Sequence, residues 1–329
     1  MRRRDFIKGI AGSTVAWPLA AGAQQSAMPV IGFLSFRSAN ESAGVEAAFR
    51  EGLSEIGYSE GRNVHIAFRW AEGQKERLPG LAADLVDNLH VAVIASTGGG
   101  PSALAAKAAT KTIPIVFTYA GDPVRAGIVA SLNRPEENIT GVTWFGVDLA
   151  GKRLALLHDI VPNISTIGFL TNPGRDPDES SQRADVQDVA RRFDLKLVVI
   201  NASTEREIDA AFATFAQQQV GAVVIASDPF LISRRERIIS LADHHRMATT
   251  CSDRVYVAAG CLMSYGNSIK EAYRRAGLYV GRILRGAKPS ELPIERLSKF
   301  EFIINLTTAK KLGLTVPASF QSLASELIE

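Results

Sequence analysis

A chain of 329 residues, 46% hydrophobic and 7% aromatic, has room for two α/β domains with cores of their own. Its net charge of +3 sits in the first 23 residues, where Arg2, Arg3, Arg4 and Lys8 face the single acid Asp5; this leaves 33 basic against 33 acidic residues in the body. A neutral body removes the electrostatic case for nucleic-acid binding. No run of roughly 18 uninterrupted apolar residues argues for a membrane span.

The first segment reads as an address rather than as structure. Arg3-Arg4-Asp5-Phe6-Ile7-Lys8 resembles the twin-arginine export motif, an apolar stretch runs from Gly9 to Ala20, and Ala21-Gly22-Ala23 is an A-x-A cleavage pattern. A signal peptide over residues 1–23, cleavage near Ala23 and a periplasmic mature chain are expected. The chain has two cysteines, Cys251 and Cys261. An oxidising compartment would allow them a disulfide, and two small buried residues in neighbouring segments is the other reading.

Val30 to Ser35 is an apolar run closed by a polar turn, the first strand. Ser38 to Ile56 places Val45, Phe49, Leu53 and Ile56 on one helical face before Gly57. Asn63 to Trp70 alternates as a strand, and Leu78 to Leu89 repeats leucine in helical register. Then comes the stretch around which the rest is arranged: an apolar run from Val91 to Ala95, the turn Ser96-Thr97-Gly98-Gly99-Gly100-Pro101, a helix over Ser102 to Thr110, and a second apolar run from Ile113 to Phe117. That order is a βαβ unit. Its glycines let a ligand approach the backbone, and its helix start offers N–H groups to an anion. It has no GxGxxG and no GK[ST], so a nucleotide fingerprint is absent. Ala126 to Leu132 reads as a short helix and Ile139 to Trp144 as a strand.

From Asp148 the pattern begins again. Ile31-Gly-Phe-Leu returns as Ile167-Gly-Phe-Leu, and Val93-Ile-Ala-Ser96 returns as Val224-Ile-Ala-Ser227, with helix, strand and helix between each pair. The expected fold is therefore α/β: two like-wound, Rossmann-like lobes with parallel sheets and a ligand cleft at the carboxyl ends of the strands. Lobe one is assigned to residues 29–145 plus 267–291 and lobe two to 146–266 plus 292–329. Ile269 to Leu284 is a helix returning to lobe one. The hinge is expected at three passages, Trp144 to Asp148, Tyr265 to Ser268, and Leu292 to Arg296.

Ala103-Leu-Ala-Ala-Lys-Ala-Ala-Thr-Lys-Thr-Ile-Pro-Ile-Val-Phe117, Gly121-Asp-Pro-Val124, Ser131-Leu-Asn-Arg-Pro135, Asn138-Ile-Thr-Gly-Val142, Leu262-Met-Ser-Tyr-Gly266 and Ile304-Asn-Leu-Thr-Thr-Ala-Lys-Lys-Leu-Gly-Leu314 carry a resemblance. From Pro29 onward the chain resembles the ABC-transporter substrate-binding proteins of the tryptophan/tyrosine type, which are type I periplasmic binding proteins. The loop Arg134-Pro-Glu-Glu-Asn138 departs from that family's glycine-containing turn. The resemblance implies capture of a small-molecule solute, an aromatic amino acid or related acid among the candidates, for a permease and its ATPase, with no cofactor and a monomer.

For such a cleft the residues at the strand ends are the candidate ligand partners. Ser35, Ser96, Gly98 and Gly99 would hold a carboxylate, Asp122 and Asp228 an ammonium group, and Asn172 a further polar atom. Tyr119, Tyr265, Trp144 and Phe230, and more weakly Phe36, would stack on a ring. Arg254 is a candidate for a carboxylate or for the surface. An enzyme, for instance a small-molecule hydrolase, has little to recommend it: there is no H-E-x-x-H, paired C-x-x-C or G-x-S-x-G, and His65, His90, His158, His244 and His245 form no metal pattern. A ligand sensor that presents closed lobes to a membrane receptor is the other alternative.

Overall fold

A computed structural model describes residues 28–40, 42–135, 138–144, 149–161, 163–173 and 179–329. The export segment over 1–23, the turn at Gly174, the hinge residues up to Asp148 and the centre of the loop Arg134 to Asn138 lie outside the described residues.

The first lobe alternates strand and helix: β1 (Val30–Ser35), α1 (Ala43–Glu55), β2 (His65–Trp70), α2 (Leu78–Ala83), β3 (Val93–Thr97), α3 (Gly100–Ala109), β4 (Ile115–Tyr119) and β5 (Ile139–Thr143). The second repeats it with α4 (Ala150–Ile160), β6 (Thr166–Thr171), α5 (Glu179–Arg192), β7 (Lys196–Asn201), α6 (Glu205–Gln217), β8 (Ala222–Ile225), α7 (Pro229–Ser233), α8 (Arg235–His244), β9 (Ala248–Cys251), α9 (Arg254–Ala258) and β10 (Met263–Asn267). α10 (Ile269–Leu284), β11 (Glu295–Arg296), β12 (Phe300–Asn305), α11 (Leu306–Lys311), α12 (Ala318–Leu323) and β13 (Glu326–Ile328) complete the chain. Ala126 to Leu132 forms turns instead of the expected helix; Asp122 and Pro123 carbonyls hold the segment through the N–H groups of Ala126, Ile128 and Val129.

One sheet has the order β11-β5-β4-β3-β1-β2 and the other β13-β12-β10-β9-β8-β6-β7. The inner orders are the same, so the duplication in the sequence is a duplication of winding. All pairings are parallel except β10 with β12. That exception follows from the hinge: β10 runs into it and β12 runs out of it.

The pairing register gives the correspondence between lobes. Ile31 pairs with Val93 and Ile167 with Ala222, while Ile94 pairs with Ile115 and Val223 with Thr249. Counting along the strands, Gly99 is the counterpart of Asp228 and Tyr119 of Asp253. The matching letters Val93-Ile-Ala-Ser96 and Val224-Ile-Ala-Ser227 thus lie on equivalent strands but two residues out of register. Side chains alternate with a period of two, so the slip preserves the apolar faces and hides itself in the pattern.

Each sheet is covered on both faces. Phe33, Phe49, Val93, Val116, Tyr273 and Val280 pack between the first sheet, α1 and α10, and Leu34, Leu85, Ile94, Ala103 and Phe117 pack beneath α2 and α3. The second lobe has one large core with Leu154, Phe169, Phe212, Phe215, Val224 and Ile303. α10 packs on α1 of lobe one backbone to backbone. A Cβ at Gly52 would lie 1.9 Å from the Arg274 carbonyl oxygen, and one at Gly277 would lie 2.2 Å from that of Phe49.

The third hinge passage comes later than Leu292 to Arg296. β11 pairs with β5 in the first sheet, and Thr140 Oγ1 donates to the Leu292 carbonyl at 2.7 Å. The chain therefore crosses at Leu297 to Lys299. Asn267 Nδ2 donates to the carbonyls of both residues, at 3.3 and 2.8 Å, and ties this passage to the one that ends β10.

Candidate functional site

The carboxyl ends of both sheets face one another across a cavity. Arg37, Gly98, Gly99, Tyr119, Ala120 and Trp144 follow β1, β3, β4 and β5 of lobe one; Ser227, Asp228, Pro229, Ser252, Asp253 and Tyr256 follow β8 and β9 of lobe two; Ile269 and Tyr273 come from α10. The lobes are in contact here. A Cβ at Gly99, whose φ is +120°, would lie 2.9 Å from Pro229 Cγ of the opposite lobe. Gly98 adopts φ +80°, and a Cβ there would lie 2.9 Å from the Phe36 nitrogen. Both positions thus require glycine for conformation and for space.

Lobe two supplies acceptors. Asp228 caps α7, taking the Leu231 N–H at 2.9 Å, and Asn172 Nδ2 reaches both its oxygens at 3.4 Å. Burial pushes its carboxyl up to about 6, against the lowering effect of these hydrogen bonds. Asp253 caps α9 through the Val255 N–H at 3.0 Å. It is 7% exposed, and burial raises its carboxyl, while that N–H and then the positive charge of Arg37 restrain the rise. A short polar residue at such a cap satisfies helix N–H groups that would otherwise be orphaned.

Donors come from both lobes. Arg37 is only 6% exposed, and its Nε has no hydrogen-bond partner. The hydroxyls of Tyr256, on α9, and Tyr273, on α10, are likewise buried without partners. A buried polar group without a partner carries a substantial desolvation cost, and the three residues line one cavity. On one side the cavity opens into a groove of about 690 Å³ bearing Arg235, Asp243, Arg254 and Lys270; on the other it meets a groove with Phe36, Asn172 and Phe230.

Of the residues expected from the sequence, Gly98, Gly99, Tyr119 and Asp228 line the cavity, with Trp144, and Asn172 touches it through Asp228. Ser35 stands one layer back, its Oγ taking the Arg37 N–H at 3.2 Å. Ser96 is fully buried in lobe one, on the strand face of Ile94 under α3; its counterpart by register is Ile225, and Ser227 is the serine at the cavity. Asp122 is exposed and holds its own turn, accepting from the N–H groups of Val124 and Arg125. Tyr265 belongs to the hinge, stacked on Phe300 at 5.8 Å, and its carbonyl accepts from the buried Arg153 at 3.5 Å. Phe230 lies in the outer groove under the Arg234 guanidinium, and Arg254 pairs with Glu326 at 2.7 Å at the surface.

Arg37, Asp253, Tyr256 and Tyr273 were not legible as site residues. Asp253 had a readable signal, since Ser252-Asp253 before a helix is a capping pattern like Ser227-Asp228. Arg37 had none: one arginine in a strand-end turn looks like any surface arginine. Among the described residues there is no group of three or more His, Cys, Asp or Glu placed to hold a metal ion, and no helix is long and apolar enough to cross a membrane.

Comparison with known proteins places this geometry in context. Residues 30–328 match the family model described as ABC transporter substrate binding protein. A tyrosine-binding protein of Clostridioides difficile strain R20291 is 27% identical over 267 residues, which is 81% of this chain and 75% of that one. Among solved structures, an ABC domain from Streptococcus pneumoniae in complex with L-Trp superposes with a TM-score of 0.82 at 25% identity, over 91% of this chain and 99% of that one. Over the same shares, the ligand-free, open structure of a Clostridium difficile substrate binding protein with adhesive properties gives 0.65 at 24% identity.

Proposed function

The chain belongs to the ABC transporter substrate-binding protein family, and on that premise we propose that it captures a free amino acid in the periplasm and delivers it to a permease and its ATPase. It is a solute-binding component, built as two lobes. The observation that carries the amino-acid reading is the pairing of opposite charges in one interlobe cavity: the buried guanidinium of Arg37, whose Nε has no hydrogen-bond partner, and the carboxylates of Asp228 and Asp253. A zwitterion answers both. Its carboxylate goes to Arg37, as a charge-assisted pair, and its ammonium group goes to Asp228, whose raised carboxyl is returned to its ionised form by the new positive neighbour. Tyr119 and Trp144 border the remaining space and suit an aromatic side chain.

The present arrangement reads as the closed form. Gly99 and Pro229 touch across the cleft, and the superposition is closer to the complex than to the open structure at nearly the same identity. Closure around a ligand is then hinge bending about the passages at the end of β10 and at Leu297 to Lys299, which Asn267 ties together. Binding rather than turnover is the task, and the amino-terminal twin-arginine pattern supports export ahead of it.

The test is thermal unfolding of the chain from Gln24 onward with L-tryptophan, L-tyrosine, L-alanine and the amines tryptamine and tyramine. A ligand that binds only the folded form raises the midpoint with the logarithm of its concentration over Kd. A saturable shift with one amino acid and none with its amine supports the reading. Equal shifts with acid and amine, or none with any amino acid, would overturn it.

A further inference from the structure

We propose that Tyr256 and Tyr273 form a two-lobe latch on the ligand's carboxylate, donating their hydroxyls from opposite walls of the cleft beside Arg37. The proposal rests on the amino-acid reading above only for the ammonium half of the ligand; the carboxylate half stands on its own observations.

Both rings are anchored in the cores. Tyr273 is 1% exposed and packs in the lobe-one core, its ring 6.4 Å from that of Phe33. Tyr256 is 1% exposed and belongs to the lobe-two core. Each hydroxyl is buried without a partner, although both residues line the same cavity. Tyrosine hydroxyls that are buried usually find a partner, so two orphans at one interlobe cavity mark a missing acceptor.

The other polar groups there do not serve as that acceptor. Asp228 and Asp253 each spend an oxygen on a helix N–H, and neither is hydrogen-bonded to a phenol. Burial, and then the neighbouring Cys251 and Asp228, raises the Tyr256 phenol well above its ordinary value, so it keeps its proton and has it to donate. The unpartnered groups are therefore the Arg37 Nε and two phenols, and each has a proton to donate. A carboxylate has two oxygens with about four acceptor sites and can take a guanidinium and two hydroxyls together. No proton changes hands and no bond is broken.

The placement also assigns the latch a direction. Tyr273 sits four residues beyond Ile269, on the same face of α10, and α10 is locked to α1 by the Gly52–Gly277 contact. It belongs to lobe one together with Arg37. Tyr256 sits three residues beyond Asp253 on α9, in lobe two. The carboxylate meets Arg37 and Tyr273 in the open form, and Tyr256 reaches it on closure. An amine that lacks the carboxylate gives lobe two nothing to close on.

The experiment compares wild type with Tyr256→Phe, Tyr273→Phe and the double variant, all as the chain from Gln24 onward, by thermal midpoint without ligand and by calorimetric titration. The titrants are L-tryptophan, L-tyrosine, the amine-free acids indole-3-acetate and 4-hydroxyphenylacetate, and the amines tryptamine and tyramine. Removing an orphaned buried hydroxyl should leave the ligand-free midpoint unchanged or raised. Each variant should nonetheless bind the carboxylate ligand about ten-fold or more weakly, with the double variant less than the product because both serve one group. A lowered ligand-free midpoint would show that the hydroxyls already have partners and would overturn the latch. Wild-type affinity in both variants would overturn it as well. Binding of the amine-free acids alone, lost in the variants, would keep the latch and remove the zwitterion reading. Binding of none of the carboxylates by wild type would remove both.

Discussion

The two lobes share a winding and divide the chemistry. By register, Gly99 stands where the other lobe has Asp228, and Tyr119 where it has Asp253. The first turn enters a helix of ten residues through a glycine N-cap at φ +120°; the second enters one of five residues through an aspartate in extended conformation. A glycine cap leaves room for the opposing lobe and brings no charge. An aspartate cap brings a carboxylate and is held by the helix it starts. Lobe one adds the guanidinium of Arg37 at the end of β1, where the second lobe has Asn172 and Pro173. One winding thus carries two different sets of turns, and lobe two holds both carboxylates while lobe one holds the guanidinium. Neither wall alone answers a zwitterion.

The comparison is broken most severely by unseating the helix that carries Tyr273. At Gly277 an added Cβ would overlap the Phe49 carbonyl of α1, so Gly277→Leu forces the helix pair apart. A loss of about 3 kcal/mol or more in urea unfolding is expected, above the usual range for overpacking because the obstacle is backbone. A loss under about 1 kcal/mol would mean that the two helices are free to separate, and that α10 is not fixed to lobe one.

Next in size is the point where the lobes touch. Gly99→Val meets both an unfavourable φ and Pro229, and a cost of about 1–3 kcal/mol is expected from the strained backbone. The larger consequence is mechanical: a branched side chain at this contact keeps the walls apart. Solution scattering with saturating L-tryptophan should show compaction in wild type and none in the variant. Equal compaction in both would place the closing contact elsewhere.

Asp228 sharpens the division of charge between the lobes through pH. Its folded carboxyl lies at about 6, above the value of about 3.9 for an unfolded aspartate, so the folded form binds the extra proton between those limits. Its contribution to stability is full below pH 4 and is lost as pH rises through 6, about 3 kcal/mol. Stabilisation by an amino acid runs the other way, because the ammonium group needs the ionised form, and should grow as pH rises through 6. In Asp228→Asn both trends should flatten. A ligand-free midpoint with the same slope between pH 4 and 7 in wild type and variant would show that this carboxylate is hydrated.

The scaffold was legible and the site was half legible, for separate physical reasons. Strands and helices follow from runs of apolar residues, and β1, β2 and α10 ended where the pattern ended, or within two residues of it. Cavity residues at turns carry no such periodicity. Gly98, Gly99 and Asp228 were visible because their chemistry is local: left-handed turns need glycine, and short helices need a cap. Arg37 and Tyr273 were invisible because their role arises only when α10, more than 200 residues after Arg37, returns through the hinge. Ser96 was misplaced for the opposite reason. A match of letters carried it two positions out of register, and only the pairing of β3 with β1 shows that it faces the core.

The smallest effect concerns the two cysteines, which have no counterpart in lobe one, where Phe117 stands in place of Cys251. Their sulfurs lie 3.1 Å apart, both residues are fully buried, and both sit as free thiols. Burial, and then the neighbouring Cys261, raises the Cys251 thiol well above its ordinary value, which removes the reactive thiolate. Cys251 and Cys261 bracket the segment with Asp253 and Tyr256, so their reactivity reports on the opening of the acceptor wall. Folded protein should resist a maleimide reagent, and both thiols should react once the chain is unfolded in urea without reductant. Labelling in the folded state would mean that the α9 segment opens at low free-energy cost. Absence of labelling in urea, restored by reductant, would mean that the pair had oxidised before the lobe closed over it.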